Sequence, residues 1–129
     1  MKSNKFIFSI VLLFFAASLH AQTSPIDENG LALGGYDVVS YFSGKAKKGD
    51  AKINATFNNA NYLFSSTANR DAFKKNPTKY LPQYDGYCAW AVGAKNAKFP
   101  VNPETFKIID NKLYLFYNGP FNGGNFNTL

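Results

Sequence analysis

Lys2 and Lys5 precede an apolar run over residues 6–19 that only Ser9 and Ser18 interrupt, and Leu19-His20-Ala21 then ends on a small residue before Gln22. A positive start, an apolar middle and a small residue at the end are the layout of a secretory signal peptide. The run is shorter than the roughly 18 residues a membrane-crossing helix needs, so cleavage after Ala21 is expected rather than anchorage. No cysteine stands near the cut to carry a lipid. The folding chain therefore starts at Gln22 and is expected in the periplasm or outside the cell, with no stable membrane insertion.

Cleavage removes chemistry as well as length. The chain has 1 His and 1 Met, His20 and Met1, and both leave with the signal. Without an imidazole no Ser-His-Asp or Cys-His pair can form, and 1 Cys cannot supply a His/Cys zinc site. Asp27, Glu28, Asp37, Asp50, Asp71, Asp85, Glu104 and Asp110 show no paired spacing suited to acid–base work. The expected protein is not an enzyme. Lys and Arg number 14 against 8 Asp and Glu, a mildly basic balance, but the lysines form no stripe, and export adds to the case against a nucleic-acid partner. A single Cys also excludes a disulfide framework. With 46% hydrophobic and 17% aromatic residues, the remainder is expected to bury one core in one domain.

Along that domain, 22–33 reads as a polar lead-in. Asp37 is placed to cap a short helical turn over 38–42, with a strand as the alternative because of Val38-Val39. Residues 43–50 read as an exposed loop. Segments 53–57 and 61–64 flank Asn58-Asn59-Ala60 as a hairpin. Ser65-Ser66-Thr67 offers cap hydroxyls to a helix over 68–75, with Ala68, Ala72 and Phe73 inward, and Pro77 opens another turn over 78–81. Periodicity alone permits a helix or a buried strand over 87–93; a short helix is favoured, with Asp85 as N-cap and Gly93 as C-cap. Segments 106–109 and 113–117 form a second hairpin turning at Asp110-Asn111. Residues 118–129 read as an Asn/Gly-rich tail. The fold class is α+β, a small single domain with two β-hairpins and several short helices.

Several blocks occur together in order: Gly35-Tyr36-Asp37 before Val39-Ser40-Tyr41-Phe42, Tyr62-Leu63-Phe64-Ser65, Asn69-Arg70 then Phe73, Asn76-Pro77 before Tyr80, Pro82-Gln83-Tyr84, Gly86-Tyr87-Cys88-Ala89 and Lys112-Leu113-Tyr114-Leu115. In this order they resemble the exported YHS-domain proteins of bacteria, over residues 34–117. The resemblance implies a small α+β domain and, because related segments occur in heavy-metal-transporting ATPases and some monooxygenase subunits, a heavy metal ion as ligand. Where the transporter-linked segments carry cysteines, this chain has Ser65 and Ser66, poor ligands for soft metals. The family also continues beyond its second hairpin to a tryptophan-bearing end, so the tail reads either as truncated or as closing the core differently.

Cys88 is the candidate metal ligand, against the alternative of a small buried apolar side chain. Tyr36, Asp37, Tyr41, Tyr87 and Trp90 are the candidate ligand-binding residues: a carboxylate, three hydroxyls and large rings suited to an apolar pocket with a few polar groups. Helix capping for Asp37 and core filling for the rings are the competing readings. The expected function is a non-enzymatic binding module, linked to heavy-metal or redox handling in the cell envelope. The alternative is a module that binds a protein or small apolar ligand through a tyrosine-rich face.

Overall fold

Three pairs of residues with positive φ bend the chain into hairpins: Asn58 and Asn59 (48° and 62°), Asp110 and Asn111 (50° and 58°), and Asn122 and Gly123 (49° and 81°). Two left-handed residues in succession make the tight turn whose twist matches the flanking strands, and Asn, Asp and Gly adopt it at least cost. The computed structural model describes residues 26–129, so the expected signal peptide and the first four residues of the lead-in lie outside the described residues. The strands are β1 (Asp50–Phe57), β2 (Ala60–Phe64), β3 (Asn102–Ile109), β4 (Lys112–Phe116), β5 (Asn118–Phe121) and β6 (Gly124–Asn127). They pair as three two-stranded antiparallel sheets, β1–β2, β3–β4 and β5–β6. The helices are α1 (Thr67–Lys75), α2 (Pro77–Tyr80) and α3 (Ala89–Lys95), with single 3₁₀ turns at Leu33–Gly35, Ser40–Ser43 and Gln83–Gly86. The class is α+β, as expected.

The structure differs from expectation at three places. Residues 118–129 form a third hairpin, because Asn122-Gly123 is a strong turn pair and Phe126 seats against Trp90 with ring centroids 5.4 Å apart. Helix α3 starts at Ala89 and ends on Asn96 in the left-handed region, while Gly93 is interior. Asp85 therefore caps nothing, since it stands at φ 56° inside the preceding turn. In α1, the Ser66 hydroxyl accepts from the Asn69 backbone N–H at 3.1 Å as expected. Ala68, though, is exposed, and only Phe73 is fully buried on that helix.

Phe73 is the ring on which the first half of the core is built. It meets Tyr62 at 4.8 Å, Phe64 at 5.3 Å and Phe57 at 6.0 Å between centroids, and its burial contributes about 2–3 kcal/mol by area. Leu113 and Leu115 of β4, with Val38, Tyr41 and Ala32, join the two halves in one buried cluster. Gly49 permits the closest backbone approach. A Cβ there would lie 2.4 Å from the Leu63 carbonyl carbon and 2.6 Å from the Phe64 nitrogen, so no side chain fits.

Residues 31–65 and 82–117 are one unit built twice. In each, an isolated parallel bridge, Leu31 to Asn61 or Pro82 to Leu113, ties the entering strand segment to the second residue of the returning strand. Three left-handed residues follow, Leu33-Gly34-Gly35 or Tyr84-Asp85-Gly86. The turn closes by Tyr36 N–H to Leu33 O (3.2 Å) or Tyr87 N–H to Tyr84 O (3.0 Å), and the next residue donates its N–H to Lys47 O or Phe99 O. Both hairpins then share one register, with a bulge between Asp50 and Asn54 or between Asn102 and Phe106. The identities at matched positions are few: Gly35-Tyr36 with Gly86-Tyr87, Asn59 with Asn111, and Tyr62-Leu63-Phe64 with Tyr114-Leu115-Phe116. The second bulge also lets Pro103 sit inside β3 without breaking a ladder bond.

Candidate functional site

Asp37 follows the first left-handed turn and has no solvent exposure. Its Oδ1 accepts from the N–H groups of Val39 (2.9 Å) and Ser40 (3.3 Å). Its Oδ2 accepts from Ser65 N–H (2.8 Å), Ser65 Oγ–H (2.6 Å) and the Asn69 amide (2.7 Å). A carboxylate has about four lone-pair positions, so the five donors saturate it and leave none for a ligand. Among the described residues no cation contributes. The burial of the carboxylate is offset by short hydrogen bonds that join the Ser40–Ser43 turn, the end of β2 and the start of α1.

Cys88 occupies the matching position in the second unit and is likewise fully buried. The Tyr117 N–H reaches its sulfur at 3.3 Å, as the Ser65 N–H reaches Asp37, and the Thr128 hydroxyl stands 3.3 Å from it. Thr128, brought there by the third hairpin, also donates to Tyr117 O at 3.0 Å. Cys88 and Asp37 thus do the same work: each side-chain acceptor ties the start of a helical turn to the end of a hairpin. The donor set does not fit the heavy metal that the resemblance implies. The sulfur is enclosed beside a hydroxyl and a backbone amide, and among the described residues no three His, Cys, Asp or Glu side chains gather as a metal would need.

The other candidates separate into two neighbourhoods. Tyr36 and Tyr41 lie with Asp37. Tyr41 is fully buried and donates to Pro103 O at 2.6 Å, while its ring meets Phe106 edge-on at 4.8 Å. Burial first, and then the nearby Tyr36, Asp37 and Glu104, push its hydroxyl pKa well above 10.0. Tyr36 donates to Glu104 Oε1 at 3.3 Å, and desolvation followed by that carboxylate raises its pKa too. Trp90 packs on Phe126 with the Lys95 ammonium 5.6 Å from its ring centroid, a contact that seats the third hairpin.

Tyr87 belongs to a different place. With Tyr84, Asp85, Val92, Asn96 and Lys98 it lines a hollow of about 250 Å³ between the second left-handed turn and α3. The Lys98 ammonium lies 5.2 Å from the Tyr87 ring centroid. Tyr84 is 47% exposed and its ring is 6.2 Å from that of Tyr114. The hydroxyls of Tyr36, Tyr41 and Tyr117 are spent on Glu104, Pro103 O and Pro120 O. Those of Tyr84, Tyr87 and Tyr114 have no hydrogen-bond partner among the described residues. From the sequence Asp85 reads as a cap, Tyr84 is one of several tyrosines able to line a pocket without being singled out, and nothing marks Lys98. The one available signal was Tyr84-Asp85-Gly86 matching Leu33-Gly34-Gly35 ahead of a shared tyrosine.

Another hollow, of about 300 Å³ and lined by Ile26, Leu33, Gly34, Val101 and Pro103, carries Asp27 as its one charged group. The Asp27 Oδ1 already accepts from Asn29 and Leu31. It lacks the convergent free polar groups that orient a ligand.

Fold and site together define a small α+β domain of two matched hairpin units, with an open, tyrosine-walled hollow on the second. No family model, curated protein or solved structure matches the chain. Among the described residues no helix is long and apolar enough to cross a membrane.

Proposed function

We propose that this chain is an exported, non-enzymatic binding domain of the YHS type that captures a small ligand on the Tyr84–Tyr87–Tyr114 face. The signal-like leader and the ordered motif blocks support export and the family. The observation that carries the binding role is that Tyr84 and Tyr87 present hydroxyls without a partner among the described residues around one hollow, with the Tyr114 ring beside Tyr84, whereas the hydroxyls of Tyr36, Tyr41 and Tyr117 are engaged within the structure. Rings that supply contact area beside unengaged polar groups are what small-ligand sites are made of. Heavy-metal handling is the weaker reading, because Cys88 is enclosed and bonded.

Amide chemical-shift mapping of the ¹⁵N-labelled protein tests this with a panel of p-cresol, glycine betaine, choline and acetate, each at millimolar concentration. Shifts from at least one probe are expected to cluster between Tyr84 and Lys98 and to spare Asp37, Ser65 and Asn69. A panel that moves no resonance in that stretch overturns the proposal.

A further inference from the structure

The two units act as an internal control on each other. At the middle of the first left-handed turn stands Gly34 (φ 59°), and at the matching place in the second stands Asp85 (φ 56°). Glycine adopts that region freely, whereas a side chain there costs about 1 kcal/mol or more, less for Asp than for most residues. Beside it Tyr84 holds φ 55°, which is an outlier for a bulky ring. The first unit holds Leu33 at the matching φ of 56°, so what sets the second unit apart is Asp85, a strained, chemistry-bearing residue where the first unit shows that glycine serves. Strain kept at a residue that lines a hollow is the pattern of functional positions.

Asp85 and Lys98 bring opposite charges to this hollow without forming an ion pair with each other. Asp85 and Lys98 line one hollow, yet the Arg70–Asp71 contact is the single ion pair among the described residues. A carboxylate and an ammonium thus face the same space of about 250 Å³ from beyond contact distance, with the Tyr84 and Tyr87 rings as walls. Asp85 has no hydrogen-bond partner among the described residues, in contrast to the saturated Asp37.

We propose that the hollow binds a small zwitterion, its ammonium group against Asp85 and the Tyr84 ring and its carboxylate against Lys98. This rests on the binding role proposed above and names its ligand class. Each half of the ligand meets an opposite charge, the rings add cation–π attraction to the ammonium end, and one molecule closes a gap the side chains leave open.

Calorimetric titration of the purified protein with glycine betaine, choline and acetate tests it, beside Asp85→Gly and Lys98→Gln. Glycine betaine is expected to bind about tenfold or more tightly than choline or acetate, and each substitution to remove about tenfold of that affinity, the size of one charged contact. Asp85→Gly is expected to keep or raise the thermal midpoint, so that lost binding is not lost folding. Equal affinity for the three probes, or glycine betaine binding unchanged in both variants, overturns the assignment. If p-cresol alone shifts the Tyr84–Lys98 resonances, the binding role stands and the zwitterion assignment fails; if no probe does, both fail.

Discussion

Asp37→Asn removes charge from the first unit's tie while keeping its size, and the geometry sets how much stability that costs. An amide offers one oxygen where the carboxylate offered two. If that oxygen faces Val39 and Ser40, the new NH₂ points at the Ser65 N–H and the Asn69 amide, donors that stood at 2.8 and 2.7 Å from Oδ2. If the amide turns over, the NH₂ meets the Val39 N–H, which stood at 2.9 Å from Oδ1. Ser40 has a second acceptor in Asp37 O at 3.1 Å, but Val39 and Ser65 have none. Each orphaned donor costs about 1–3 kcal/mol and each lost charge-assisted bond about 1.5 kcal/mol, giving a total of about 3–5 kcal/mol, in line with breaking other buried polar clusters. Urea unfolding followed by Trp90 fluorescence reads this directly. At a slope of about 1.5 kcal/mol/M the midpoint falls by about 2 M or more. Asn69→Ala in the Asp37→Asn background is expected to recover part of the loss, because one facing donor is gone. A midpoint for Asp37→Asn within about 0.5 M of the parent, at unchanged slope, would refute the reasoning that five donors hold a carboxylate there.

The matched tie at Cys88 makes a kinetic prediction. The thiol, fully buried, is expected to be inert to a disulfide-exchange reagent in native buffer and to react within minutes in strong denaturant, read by the released thiolate colour; fast native reaction would show an open site. Tyr41 makes a prediction in pH. Its folded pKa is raised above the ordinary 10.0, so the folded state holds the proton more tightly. Its contribution is then fully present below about pH 10 and declines as pH rises beyond that value. Tyr41→Phe is expected to lose about 1 kcal/mol at neutral pH, from the unpaired Pro103 carbonyl, and to flatten the alkaline fall in the thermal midpoint. An equally steep fall in the variant would assign it to other groups.

The hairpins centred on Asn58-Asn59 and Asp110-Asn111 were legible because left-handed turn pairs and alternating apolar strands speak together, and α1 was legible through its serine cap. Asn122-Gly123 carries the same signal. It was hidden by its setting, since a segment rich in Asn and Gly reads as loose chain until Trp90 supplies a surface for Phe126. Around Asp85 the signals misled. An aspartate ahead of a helix looks like a cap, but the left-handed turn places it three residues too early, and the cap position falls to Cys88, which makes no side-chain cap bond. The candidate site was legible only through Tyr87. Tyr84, Asp85 and Lys98 acquire meaning from the backbone that gathers them.

The duplication explains why so much of the site was silent in sequence. What the two units share is mostly backbone: a parallel bridge, a three-residue left-handed turn, a bulged register and an N–H returning from the hairpin's end. Any side chain permits most of those bonds, so matched positions can drift from Leu to Tyr, Gly to Asp and Asp to Cys without losing the unit. The drift is not symmetrical. In the first unit the tie is a carboxylate met by five donors, two of them side chains, and the turn above it keeps Gly34. In the second, a thiol accepts the returning N–H, Thr128 shares the work, and the turn carries Tyr84 and Asp85. Sulfur is a weak acceptor with little desolvation cost, so the second tie makes fewer demands on its neighbours. The saturated unit anchors the fold through Phe73 and the shared core, which leaves the other free to hold strained, unpaired groups at its surface.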